Sequence, residues 1–396
     1  MGALDGIKVL GFTHFAQAPF ALQLLGDMGA DIINIERPGT GDFNRTHLAK
    51  PERLGGESPY FLAMNRNKRS ITLDMKKAEA KEIIYKLIAE VDVIASNFRP
   101  GVLDKLGFGF EDARKINPNI IYAEAVGYGS SGPYAHLPGQ DFLAQCISGY
   151  TTIVGPDGPP LSGGTFLIDM YSASLLSNGI LAALINRMNG GSAQKVEVNL
   201  LSSALHMQCQ ELTYYLNTGE LPKRPEGYSS QVHSEGPYGI YKTQNGYMGI
   251  SNVPSDKIDL FSEIVGVAGL KELSANKAEM LKNRNRIYPI VAAGILKQPT
   301  EYWIEKLQAA GFWCARINNY EEVVKDPQVI YSGIIQSVKH PTAGDIKVVA
   351  CPITFSETPA TIRSCPPLLG QNNVEVLKEL GYTDEQIERF NNEGLF

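Results

Sequence analysis

Ile7-Lys8-Val9-Leu10-Gly11-Phe12 is a short apolar run that, with the segments downstream of it, decides the fold. Ala18 to Met28 then has helical periodicity, and Asp31-Ile32-Ile33-Asn34-Ile35-Glu36 is again strand-like. The alternation continues through a strand at Ser70 to Asp74 and a helix at Ala78 to Val91, with Ile83, Ile84, Leu87 and Ile88 on one face. Val93 to Ser96 and Ile120 to Val126 read as further buried strands. Strands alternating with helices through short loops predict a Rossmann-like parallel sheet covered on both faces. Ligands bind such sheets at the carboxyl ends of the strands. The segments to search are therefore Thr13 to Pro19, Arg37 to Gly39, Asn97 to Gly101 and Gly127 to Asp141.

The texture changes near residue 220, where Leu221-Pro222-Lys223-Arg224-Pro225-Glu226-Gly227 forms a proline-rich polar connector. Beyond it, Gly239 to Ile250 reads as a hairpin with Asn245-Gly246 as its turn, and helical segments run to about residue 310. A strand-rich patch (Ile334 to Val338, Ile346 to Ala350) precedes a terminal helix around Val374 to Leu380. The expected class is α/β. A large domain covers 1–225, a smaller α+β domain 226–325, and 326–396 is a return linker that completes the large domain.

A chain of 396 residues with 43% hydrophobic and 20% charged residues has the texture of a soluble protein with room for two domains. Its net charge of −6 speaks against a nucleic-acid partner, because phosphate backbones call for a basic face. No apolar run reaches membrane-spanning length and the N-terminus lacks a signal-peptide pattern, so no membrane partner and a cytoplasmic location are expected. Cys146, Cys209, Cys314, Cys351 and Cys365 are widely spread and are expected to be reduced and mostly buried. His14, His47, His136, His206, His233 and His340 show no metal-ligand spacing, and no metal is expected.

Gly127-Tyr128-Gly129-Ser130-Ser131-Gly132 matches the dinucleotide pattern G-x-G-x-x-G, but Pro133 and Pro138-Gly139 oppose a helix opening there. The strand before it also comes late, whereas the fingerprint belongs to the first βα turn. Ser130 and Ser131 do not sit in the G-x-S-x-G elbow of a hydrolase. Arg37, Lys68, Arg69, Lys76, Lys77, Arg99 and Lys105, expected at strand ends, together make a candidate phosphate cradle.

Ser162-Gly163-Gly164-Thr165-Phe166-Leu167-Ile168-Asp169-Met170 carries one carboxylate among apolar neighbours, at the start of a predicted helix that stops at Asn189-Gly190-Gly191. Asp169 is either a cap for the first free N–H groups or a working group, and the two roles are compatible.

The chain resembles the class III coenzyme A-transferases, which include formyl-CoA:oxalate and carnitine CoA-transferases. The resemblance rests on Leu4-Asp5-Gly6-Ile7-Lys8-Val9-Leu10, Leu25-Gly26-Asp27-Met28-Gly29-Ala30-Asp31 and Ile35-Glu36-Arg37-Pro38-Gly39. It continues through Asn65-Arg66-Asn67-Lys68-Arg69-Ser70, Asn97-Phe98-Arg99-Pro100-Gly101 and Gly127-Tyr128-Gly129 to Pro366-Pro367-Leu368-Leu369-Gly370-Gln371, over essentially the whole chain. It implies that Asp169 is the catalytic nucleophile. Coenzyme A contacts would fall on Ala16, Gln17, Arg37, Leu73, Asp74, Met75, Lys76, Asn97, Phe98, Arg99, Lys105, Pro138, Gly139, Gln140 and Asp141. Coenzyme A or an acyl-CoA is then a substrate rather than a resident cofactor, the other partner is a small carboxylic acid, and the assembly is an interlocked homodimer.

Two positions depart from the family pattern: a glutamine of the formyl transferases falls one residue before Gln17, and the family's Gly-Gln-His/Asp-Thr becomes Gly370-Gln371-Asn372-Asn373. The implied chemistry is attack by Asp169 on a thioester, giving an aspartyl mixed anhydride and then an aspartyl-CoA thioester. A free aspartate titrates at about 3.9, so Asp169 is expected to be ionised without a helper base. Phe166, Leu167 and Ile168 are expected to exclude water, and helix-start N–H groups to steady the oxyanion. The alternative is a 2-methylacyl-CoA racemase, an isomerase of the same superfamily that uses a His/Asp pair. Gln140 occupies the place of that base and cannot exchange a proton near neutral pH; His136 is the nearby substitute. The acids remain open between short dicarboxylates such as oxalate, succinate or glutarate and carnitine-type or aromatic acids.

Overall fold

A computed structural model describes residues 1–46 and 54–396; His47 lies outside the described residues. The chain divides into two compact units, one of residues 1–144, 165–207 and 328–396, the other of residues 145–164 and 208–327. The expected boundaries near 225 and 325 therefore move to 207 and 327. Residues 145–164, expected in the large domain, pack with the second unit. The chain crosses between units where it packs, which a proline-rich connector does not reveal.

The first unit is built on six parallel strands: β1 (Lys8–Phe12), β2 (Asp31–Glu36), β3 (Lys68–Thr72), β4 (Val93–Ser96), β5 (Ile121–Val126) and β6 (Gln194–Asn199). Their order is β3-β2-β1-β4-β5-β6. The chain reverses direction across the sheet between β1 and β4, which opens a crevice at the carboxyl ends of those two strands.

Alternate side chains go to opposite faces. Leu10, Phe12, Ile33, Ile35, Ile71, Ile94 and Tyr122 pack with Ile83, Ile84, Leu87 and Ile88 of helix Ala78–Glu90. Val9, Ile32, Val93, Ala95, Ile121 and Ala123 pack with helix Gln17–Asp27 and with Ala173, Leu176, Ile180 and Leu184 of helix Leu167–Met188. At 22 residues that last helix is long and apolar enough to cross a membrane by length and composition, contrary to the expectation from sequence. Its buried stripe lies in the core of the unit.

Three further expectations change. β3 begins at Lys68 rather than Ser70: the Lys68 amine donates to Pro19 O, Met64 O and Asn65 Oδ1 at 2.8, 2.9 and 2.7 Å, which satisfies it inside the unit although burial pushes its pKa down to about 7. β6 has no counterpart among the expected strands because it is an edge strand with polar alternation, its Lys195 paired with Glu124 at 2.5 Å. All five cysteines are free, but none is buried: Cys146 and Cys209 are exposed and the other three half-buried.

Residues 328–396 return to the first unit with an antiparallel hairpin, Ile335–His340 with Gly344–Val349. Helices Asn373–Glu379 and Asp384–Asn392 come next, and Val376, Leu377, Ile387 and Phe390 complete one core. The last helix, absent from the expected elements, has a capping box between Thr383 and Gln386.

In the second unit, Gly239–Lys242, Tyr247–Ile250 and Cys314–Arg316 form an antiparallel sheet. Its hairpin loop is Thr243–Gly246, longer than the two-residue turn expected, and Asn245 Oδ1 accepts the Thr300 N–H at 2.9 Å. Tyr241, Met248, Phe261, Ile287, Val291, Trp303 and Leu307 form its core.

Candidate active site

The glycine-rich segment after β5 owes its glycines to a backbone crossing. A Cβ added at Gly127 would lie 2.5 Å from the Gly139 Cα, and one at Gly139 would collide with the Gly127 Cα. The segment thus folds back on itself, and two residues beyond the crossing Asp141 opens helix Asp141–Ile147.

Asp141 is buried. Its Oδ2 accepts the N–H groups of Ile168 at 2.7 Å and Asp169 at 2.9 Å. Helix Leu167–Met188 has no side-chain cap of its own at Phe166. Asp141 therefore caps it from another element, placing negative charge at the positive end of the helix dipole. The capping role open to Asp169 belongs to Asp141 instead.

Asp169 is the third residue of that helix, half-buried, and its carboxylate makes no hydrogen bond among the described residues. Burial, and secondarily the Asp141 carboxylate, push its pKa up to about 7. The expected value near 3.9 does not hold: around neutrality Asp169 is divided between acid and carboxylate. A group raised in this way is the more nucleophilic when ionised, since basicity and nucleophilicity rise together.

The first-turn N–H groups are all engaged. Leu167 donates to Thr165 O at 2.8 Å and Met170 to Phe166 O at 3.1 Å, while Ile168 and Asp169 serve Asp141. They are not free to hold an oxyanion, against expectation. Of the three apolar neighbours, Ile168 is buried with Ala144, Leu200 and Ala204, whereas Phe166 is exposed.

At the β1/β4 switch point, Asn97 ties the two strand ends together. Its Oδ1 accepts the His14 N–H at 2.9 Å and its Nδ2 donates to His14 O at 2.6 Å. The His14 ring stands 5.3 Å from Phe15 and 5.4 Å from Phe98, and burial lowers its pKa. Phe15 takes a left-handed backbone, φ 63°, secured by Asp42 Oδ1 on its N–H (3.3 Å) and Asn44 Nδ2 on its carbonyl (2.8 Å). Gln17 is buried, with its Nε2 unpartnered among the described residues. A buried amide without a protein partner is costly, and its N–H donors remain open to a further acceptor.

The residues singled out from sequence fall into two sets. Ala16, Gln17, Arg37, Leu73 to Lys76, Asn97 to Arg99 and Pro138 to Asp141 follow the carboxyl ends of five adjacent strands, and Lys105 lies just beyond in the short helix Val102–Leu106. Arg37, Lys76, Arg99 and Lys105 are exposed and suited to phosphate, while Leu73 is buried in the core and offers only backbone. Lys68 and Arg69, at the amino end of β3, do not join them. Lys68 is buried as described, and Arg69 pairs with Asp31 at 2.6 Å and Glu379 at 2.7 Å. Lys77 is also spent, on the carbonyls of Glu393 and Gly394.

Residues 4–373 match the sequence profile of CoA-transferase family III. The chain belongs to that family. As a family III CoA-transferase it is 33% identical over 393 residues to a succinyl-CoA:glutarate CoA-transferase of Mus musculus, covering 98% of this chain and 89% of that one. It is also 33% identical over 414 residues to a formyl-CoA:oxalate CoA-transferase of Streptomyces avermitilis, covering 99% of each. Among solved structures, a CaiB/BaiF family protein from Brucella suis superposes with a TM-score of 0.84 at 29% identity, over 96% of this chain and 99% of that chain. The family III CoA-transferase assignment and the α/β sheet thus agree with the resemblance seen in sequence.

Proposed function

We propose that this CoA-transferase moves coenzyme A from an acyl-CoA donor to a free carboxylic acid by way of Asp169. The observation that carries the proposal is an uncommitted, half-buried carboxylate whose helix is capped by another acid, leaving its own oxygens available. A carboxylate oxygen of Asp169 attacks the donor thioester carbonyl. The carbon–sulfur bond breaks and coenzyme A leaves as thiolate, with an aspartyl anhydride behind it. The thiolate then attacks the aspartyl carbonyl, releasing the donor acid and leaving an aspartyl-CoA thioester. An acceptor carboxylate attacks that thioester, the thiolate leaves again, and its attack on the acceptor acyl carbonyl returns Asp169 as carboxylate. No net proton or electron change is needed over the cycle.

Exposed Arg37, Lys76, Arg99 and Lys105 serve the coenzyme A phosphates in this reading, and Gln17 Nε2 donates to the bound substrate. Short dicarboxylic acids are the preferred acceptors, supported by the substrates named for the mouse relative. The working form is an interlocked homodimer; a monomer mass by light scattering would overturn that part alone. The deciding experiment incubates the enzyme with succinyl-CoA, quenches with borohydride or hydroxylamine, and maps the adduct by mass spectrometry. Modification at Asp169 is expected. Turnover without modification there sinks the proposal.

A further inference from the structure

Helix Asp141–Ile147 carries a second side chain that the mechanism has not used. Gln145 stands four residues after Asp141, one turn along the same helical face. It is 2% exposed, and its Oε1 accepts the N–H of Gly163 at 2.9 Å. Gly163 and Gly164 open the stretch that runs directly into helix Leu167–Met188, and Asp141 holds that helix at Ile168 and Asp169. A single turn of helix therefore grips the chain at both ends of the segment 163–169.

Consecutive glycines have more backbone freedom than any other pair, so this segment is the natural place for the start of the helix to wander. The Gly163 N–H is held by a neutral amide oxygen, so the contact brings no further charge one turn along from Asp141. A third carboxylate on this face would push the Asp169 pKa further up.

We infer that Gln145 is a positioning residue for Asp169: by fixing Gly163 it sets the entry of the nucleophile's helix, and it acts on the rate of attack rather than on coenzyme A affinity. The inference rests on the proposed role of Asp169. A misplacement of about 1 Å at a reacting atom costs up to about 100-fold in rate, so a loss of this kind is measurable.

The test compares Gln145→Leu, which removes the acceptor, with Gln145→Glu, which keeps an oxygen at the same reach but brings charge. Expected for Gln145→Leu is a fall in kcat of about 10- to 100-fold, with KM for the acyl-CoA within about twofold of wild type. Gln145→Glu is expected to recover most of the loss at high pH, with its kcat profile displaced to higher pH. Circular dichroism and thermal melting on each variant guard against reading misfolding as loss of rate. A folded Gln145→Leu enzyme with wild-type kcat overturns the inference, and so does a loss carried entirely by KM. So does equal impairment of both variants at every pH, or failure of both to fold, since either gives Gln145 a structural role only. The two readings fail separately: absence of the Asp169 adduct in wild type removes the nucleophile, whereas a normal adduct with an indifferent Gln145→Leu removes only the positioning role.

Discussion

Asp141 and Asp169 are coupled twice over: the Asp141 carboxylate accepts the Asp169 N–H at 2.9 Å, and its charge helps to raise the Asp169 side-chain pKa to about 7. One acid holds the helix in place while making its neighbour more basic. Capping by Asp169 itself would have tied up its own carboxylate oxygens.

Substitution of Asp169 separates chemistry from stability. Asp169→Asn is expected to lose transfer activity by at least about 1,000-fold while still binding coenzyme A. Burial raises the folded pKa above the unfolded 3.8, so the folded chain keeps its proton where the unfolded chain has lost it. Stability contributed by the acid therefore declines from pH 3.8 to about 7 and is gone above that. Asp169→Asn should be more stable than wild type at pH 8 by on the order of 2 kcal/mol, discounted for partial exposure, and equal to it near pH 3. Urea unfolding at both values checks this; an Asn variant less stable at pH 8 would contradict the assigned burial.

The pH–rate profile carries the same signature. kcat/KM in the direction of acyl-CoA attack should rise through about pH 7 as Asp169 ionises. Asp141→Asn removes the secondary cause of the shift, so the rise should move to lower pH. The amide also weakens the cap, at about 1 kcal/mol of stability. A profile unmoved by Asp141→Asn would disconnect the two acids.

Gly139→Ala places a methyl group against the Gly127 backbone, where no flexible side chain can give way. Displacement of the segment just ahead of Asp141 is expected, at about 1–3 kcal/mol in stability. Activity should drop further than stability explains, because Asp141 shifts with it. Equal activity per folded molecule, measured by active-site titration, would show that the crossing does not position Asp141.

The two sets of cations should behave differently. Arg99→Ala and Lys105→Ala are expected to raise KM for acyl-CoA several-fold with little change in kcat, more strongly at low ionic strength. Lys68→Met instead leaves Pro19 O, Met64 O and Asn65 Oδ1 without their donor and should cost about 3 kcal/mol of stability with KM unchanged. An altered KM in folded Lys68→Met would return that lysine to the site.

Much of the sheet was legible because buried strands leave a local trace. Asp31–Glu36 and Val93–Ser96 are found where their apolar runs place them. β6 left none, since an edge strand such as Gln194–Asn199 needs apolar residues on one face at most. Lys68 and Arg69 show the same limit from the other side: adjacent basic residues look alike in sequence whether they face solvent, a carbonyl nest or an ion pair.

The linear order of residues determined the parallel α/β sheet, the family and the singular position of Asp169, because periodicity and motif spacing are properties of neighbours along the chain. Only the tertiary structure decided which acid caps the helix and which is left over, where the Asp169 carboxyl titrates, and which lysines reach the carboxyl edge. Those depend on burial and on partners dozens of residues apart, as Asp141 and Ile168 are, and distance in space has no imprint in a string of side chains.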